Sequence, residues 1–256
     1  MGIFVVMSVL KTHFTQQFNG IVWRMEIDAA TDTLAVEIRQ DTDKQVSFAA
    51  IDLTSGKLNF TGLTTSERWL TGLEGTHNGV ILLHHYQSAT SPVHKGLIAA
   101  DAGTGHVLWS NYNYAFSNFC SGGVVLYDTR LQPHKFFLAD LKTGATLRDY
   151  QPSIDITLQS EITLPDMVAP EGYLPQQPFG NIIHQLFFKH YRIVSLHALT
   201  GREELTQQLY IIDGTTISYH DLLNAAIQKL QPEAFVLYKD HLIYLKNRSQ
   251  LKVINL

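Results

Sequence analysis

Histidine is the first residue type whose abundance suggests chemistry, with 12 copies in 256 residues. His84 and His85 are adjacent in the apolar stretch GVILLHHY. Neighbouring side chains on a strand point to opposite faces, so these two cannot hold one metal ion by themselves. A metal site built on them needs ligands from other strands. His184 and His241, each in a comparable strand, are the candidates. Imidazole suits zinc, iron or copper, but no ligand spacing such as H-E-x-x-H is present. The plainer reading has one of the adjacent pair in a core pocket and the other packed between sheets.

Carboxylates offer a second chemistry. Glycoside hydrolysis needs a pair of acids flanking the scissile bond, and Asp28, Glu37, Asp41, Asp43, Glu67 and Glu74 are available. None sits in a recognisable motif. Cys120 lies in SNFCSGG without a neighbouring base, and there is no G-x-S-x-G elbow. A nucleophilic triad is therefore set aside, no catalytic residue is assigned, and Cys120 reads as a small buried apolar group.

Basic residues form a subtler pattern. Lys44, His94 with Lys95, His134 with Lys135, Arg192 and Arg248 each lie at or just before the third strand of a repeating unit. Turns of one kind share one face of a repeat fold, so these residues are candidates for attracting a small anionic ligand. Ordinary solvated turns are the favoured explanation of them, and Asp41 and Asp43 sit beside Lys44 to cancel it.

The repeat that would position these groups is visible in four segments. They are SFAAIDLTSGKLNF (47–60), GLIAADAGTGHVLW (96–109), KFFLADLKTGATL (135–147) and RIVSLHALTGREEL (192–205). In each, an apolar run leads to a polar residue (Asp52, Asp101, Asp140, His197) and then, four positions on, to a glycine. Aspartate caps backbone amides two residues on, and glycine accepts the positive φ of the turn. Each unit is a β-hairpin, preceded by a further apolar strand, and in some units by two. Glycine spacings of 49, 39 and 57 residues fit four strands per unit.

The chain ends on a truncated copy, with strands at 235–238, 241–245 and 250–256 and no fourth. The apolar segment Ile3 to Leu10 (IFVVMSVL) is the strand that such a copy lacks. It is too short to span a bilayer and has no basic residue before it or cleavage site after it, so it reads as a buried strand. Pairing of the two ends leaves fewer exposed edges. Two segments break the pattern. Tyr219 to Leu230 has apolar residues at helical spacing and reads as a helix over the axis of the repeat fold, either a lid on a small-molecule site or, the favoured reading, a plug with His220, Asp221 and Lys229 facing solvent. Pro165 to Gly180 holds four prolines and reads as a long loop.

The unit IAADAGTGHVLW (98–109) resembles the blade repeat of pyrroloquinoline-quinone-type β-propellers, with its alanine-aspartate turn, Thr-Gly and closing Trp109. Phe60, Arg148 and Leu205 stand in the Trp position of the other copies. The resemblance covers the third and fourth strands of about four units and implies fold more than function. Quinone enzymes of that superfamily carry more blades, an export signal and dedicated ligands, which this chain lacks. It is similar instead to uncharacterised bacterial families of this size with WD40-like or quinoprotein-like repeats.

Bulk properties agree. Charged residues are only 16% and aromatic residues 11%, a composition that suits sheets. A net charge of −4 argues against an extended phosphate-binding surface. One cysteine excludes an intrachain disulfide and points to a reducing compartment. The expectation is an all-β, about five-bladed propeller with four-stranded blades, one short helix and a single domain over 1–256. Its expected role is a non-catalytic binding or scaffold propeller in the cytoplasm, monomeric and without a cofactor. Its partner would be a protein or a small anionic ligand, not nucleic acid or membrane. The alternative is a hydrolase or metal-dependent enzyme using the axial funnel.

Overall fold

A computed structural model describes residues 10–201, 204–231 and 234–256. The described residues form an all-β fold, with five antiparallel sheets of four or five strands among them. This is a five-bladed β-propeller fold, each sheet being one blade. Contacts divide the chain into two compact units, Asn19–Ser160 and Met1–Phe18 with Glu161–Leu256.

The first unit holds three blades. Blade one is β2 (Ile21–Asp28), β3 (Thr33–Gln40), β4 (Gln45–Asp52) and β5 (Leu58–Leu63). Blade two is β6 (Thr71–His77), β7 (Val80–Ser88), β8 (Ser91–Asp101) and β9 (Val107–Asn111). Blade three is β10 (Tyr114–Cys120), β11 (Gly123–Asp128), β12 (Phe136–Ala139) and β13 (Thr146–Asp149). Strands inside a blade are covered on both faces, which is why β3 and β7 read as near-continuous apolar runs.

The hairpin chemistry is as the repeat implies. Oδ1 of Asp52, Asp101 and Asp140 accepts the amide of Ser55, Thr104 and Thr143 at 2.7–2.8 Å. Gly56, Gly105 and Gly144 sit at φ 71°, 76° and 70°. The residues closing the first two hairpins lock them to the next blade. The Phe60 ring lies against Gly105, and the Trp109 ring against Gly144, where any Cβ would clash at 2.7 Å. Trp109 also donates Nε1–H to the Leu141 carbonyl at 2.9 Å. Cys120 is fully buried, as a small apolar group would be.

The second unit holds two five-stranded sheets. One runs β15 (Asp166–Val168), β16 (Ile183–Phe188), β17 (Tyr191–Leu199), β18 (Leu205–Asp213), β19 (Thr216–Ile227). The other runs β1 (Thr12–Gln17), β22 (Gln250–Asn255), β21 (His241–Lys246), β20 (Phe235–Tyr238), β14 (Ile162–Thr163). The N-terminal chain does complete the last blade, but with β1. The expected strand at 3–10 lies outside the described residues except for Leu10, which packs on the core without being a strand.

Three further expectations are corrected. No helix forms at 219–230; residues through Ile227 belong to β19. The buried strand β18 needs a partner edge. Register shifts in the β18–β19 ladder, with Ala226 at φ 50°, produce the helix-like apolar spacing. Asp221 is accordingly buried rather than silent at the surface. The Pro-rich stretch 165–180 is not all loop, since Asp166–Val168 pairs with β16. The fourth repeat copy lacks the capped turn: His197 is a buried member of β17 whose Nε2 accepts the Gln231 amide at 3.0 Å. Among the described residues no helix is long and apolar enough to cross a membrane.

Deleting the chain through Gln17 strips β22 of its outer partner and uncovers an edge carrying Val253 and Ile254, both fully buried. The expected product is insoluble or melts without a cooperative transition in circular dichroism. A cooperative melt within a few degrees of the full chain would overturn this role for β1.

Candidate functional site

The densest assembly of polar and aromatic side chains lies in blades one and two. On β3, Glu37 and Arg39 share a face, as residues two apart must. Arg39 Nε donates to Glu37 Oε1 at 2.6 Å, and the Leu73 amide donates to Glu37 Oε2 at 2.7 Å. This satisfies a carboxylate that is 1% exposed. The Arg39 guanidinium lies 5.2 Å from the Trp23 ring and 5.0 Å from the Trp69 ring, within cation–π range of both. Lys44 sits 4.9 Å from Trp69 and pairs with Asp41. These groups border a pocket of about 370 Å³ lined by Trp23, Arg39, Trp69, Tyr86, Ser88, Thr90 and Ser91.

Tyr86 links this pocket to a second cluster. On β7, His84 and Tyr86 face one side and His85 the other. His84 and His94 stack with ring centroids 3.5 Å apart, and Tyr86 packs edge-on against both. Glu74 Oε2 lies 3.0 Å from His84 Nδ1 and 2.9 Å from His94 Nδ1. Burial acts to raise the Glu74 pKa, but the two imidazoles prevail and hold it below the ordinary carboxylate value. Burial and the neighbouring His84 lower that of His94.

Two bulges build the cluster. Glu74 is the extra residue between Leu73 and Gly75 in the β6–β7 ladder. In β8, Gly96 is the extra residue between Leu97, opposite His84, and Lys95, opposite His85. Its φ of 64° admits the bulge without strain. The slip places His94, not Lys95, opposite Tyr86 and hence on the His84 face.

The other expected residues lie elsewhere. His85 is buried on the opposite face beside Thr71 and Tyr112, and burial lowers its pKa. His184 and His241 belong to the second compact unit, where His241 Nδ1 contacts Asn255 Oδ1 at 2.7 Å. Of the basic residues, only His94 joins the cluster. Arg192 is engaged by the Gln185 side chain and the carbonyls of Glu171 and Tyr173. His134 stacks on Tyr127, while Lys95, Lys135 and Arg248 are exposed. Of the acids, Asp28 is fully buried and accepts the amides of Ala30 and Gly79 as a turn cap. The Trp23–Arg39–Trp69 stack was absent from the sequence reading. No sequence signal marks it, since Trp23 and Trp69 stand 16 and 30 residues from Arg39.

Solved structures with similarity include BamB from Moraxella catarrhalis, 9% identical, covering 92% of this chain and 85% of that one at a TM-score of 0.26. The β-propeller domain of the Trilobed protease from Pyrococcus furiosus is 10% identical, with 94% of each chain covered and a TM-score of 0.34. A europium-containing methanol dehydrogenase is 12% identical over 94% of this chain and 52% of that one, at 0.32. No curated protein matches the sequence. Residues 27–109 match a family described as a domain of unknown function, DUF4905, a stretch that holds every residue of the site described above except Trp23.

Proposed function

We propose that the chain is a non-catalytic binding module whose pocket takes a neutral, hydroxylated ring, a saccharide unit. The observation that carries this reading is the pairing of Trp23, 59% exposed, with Trp69 and Tyr86 around a pocket rimmed by Ser88, Thr90 and Ser91. Aromatic faces stack on the C–H face of a sugar, and hydroxyl groups bond its edges. A neutral ligand is favoured over an anion because the nearby cations are compensated, Arg39 by Glu37 and Lys44 by Asp41. Binding is favoured over hydrolysis because Glu37, the acid beside the pocket, is held by Arg39 and the Leu73 amide and has no role as a mobile proton carrier.

Intrinsic tryptophan fluorescence titrated with a panel of methyl glycosides tests this. At least one glycoside shifts the emission, and Trp23→Ala weakens its binding about tenfold, as the loss of one stacked ring worth about 1.5 kcal/mol implies. Absence of any shift across the panel, or unchanged affinity in the variant, overturns the reading.

A further inference from the structure

We propose that Glu74, His84 and His94 form a binding site for one divalent transition-metal ion of the zinc type. One donor atom from each residue lies within 4.8 Å of the others, and among the described residues this is the group that meets that condition. Two imidazole nitrogens and one carboxylate oxygen are the protein half of a tetrahedral zinc site that keeps one position open for water or ligand. Imidazole and carboxylate together suit zinc or cobalt better than calcium or magnesium, which take oxygen alone.

A second observation points to an ion. His84 is 1% exposed, yet neither of its ring nitrogens has a hydrogen-bond partner. Its Nδ1 is 3.0 Å from Glu74 Oε2 but out of line for a hydrogen bond. A buried polar atom left unmatched in this way destabilises the fold. A cation between Nδ1 and the carboxylate gives that nitrogen a partner. The stacked rings bring both Nδ1 atoms to the same carboxylate oxygen, and since imidazole lone pairs lie in the ring plane, the parallel rings tilt apart to direct both at one ion. Nε2 of His84 faces Gly72, where a Cβ would come within 2.7 Å, so only glycine at 72 leaves the ring the space it occupies.

The site does not depend on the saccharide reading. Tyr86 touches both, but the ligand sets share no residue.

The test uses untagged full-length protein stripped with a chelator. Zinc chloride is added with thermal melting as the readout, and cobalt chloride with visible absorption. The expected result is one equivalent bound, a raised melting temperature with zinc and the intense d–d bands of tetrahedral cobalt. His94→Ala and Glu74→Gln are the informative variants, since the His94 side chain is 34% exposed and glutamine keeps the size of the Glu74 side chain. Each weakens binding by at least about 100-fold, while His134→Ala leaves it unchanged. Failure of the wild type to bind either metal overturns the proposal. So does binding that survives both variants, which would mark it as adventitious.

Discussion

Asp221→Ala loses about 3 kcal/mol of stability in urea unfolding, among the largest effects of any single substitution in this chain. Asp221 is 8% exposed and receives three donors. Lys246 Nζ reaches Oδ1 at 2.8 Å, while Lys252 Nζ and Tyr244 Oη reach Oδ2 at 2.6 and 2.9 Å. Tyr219 extends the network with its hydroxyl 2.7 Å from that of Tyr244. Removing the carboxylate leaves two ammonium groups facing each other with no counter-charge. Their side chains keep 30% and 17% exposure, which holds the loss to the lower end for a broken buried pair.

The same network sets a pH dependence. Burial acts to raise the Asp221 pKa, but hydrogen bonds from Lys246, Lys252 and Tyr244 prevail and hold it below the ordinary 3.8. A depressed carboxylate stabilises the fold above its unfolded pKa, and that contribution is lost as pH falls through the folded value. For Lys252, burial acts to lower the pKa, but Asp221 prevails and raises it above 10.5. Its contribution is present below that value and is lost as pH rises through the folded pKa. Wild-type stability therefore declines at both acidic and alkaline extremes. Asp221→Asn has a flatter profile on the acid side. An identical acid slope in the variant would contradict this account.

Arg39→Ala loses a comparable amount, about 3 kcal/mol, because Glu37 is left buried with only the Leu73 amide. Arg39→Lys falls between the variant and the wild type. It keeps a charge but cannot stack a planar group on both indole rings. In the double variant Arg39→Ala with Glu37→Ala, the loss is smaller than the sum of the single losses, since no buried charge remains. Each arm is readable by urea unfolding, with emission of Trp23 and Trp69 reporting the pocket. Arg39→Ala within about 0.5 kcal/mol of wild type would show that solvent reaches Glu37 and replaces the pairing.

Much of the blade architecture was legible in the chain because it rests on local chemistry. The Asp-to-Gly turns at Asp52, Asp101 and Asp140 use side chain–backbone bonds within a few residues, so residue type and spacing suffice. The missing last strand of the final blade was legible by counting, though β1 at Thr12–Gln17 fills it where the more apolar 3–10 was expected. Apolar content marks burial, but the choice of paired segment depends on which stretch matches the β22 edge. The segment 219–230 misled for a related reason: bulges in a strand can imitate helical periodicity, and the demand of β18 for a partner outweighs local pattern.

The candidate sites divide in the same way. From its own residues the chain determined that His84 and His85 face opposite sides, since strand alternation is a local rule. It also determined the Asp-to-Gly hairpin turns of blades one, two and three. Only the tertiary structure decided which residues join His84. The slip at Gly96 sets the register of β8 against β7 and turns His94 inward in place of Lys95, while the bulge at Glu74 completes the cluster from β6. A one-residue shift reverses every side chain beyond it, so register is a property of the paired strands rather than of either alone. The Trp23–Arg39–Trp69 stack likewise draws on two strands and a connecting segment, and its distances exist only once blades one and two are packed.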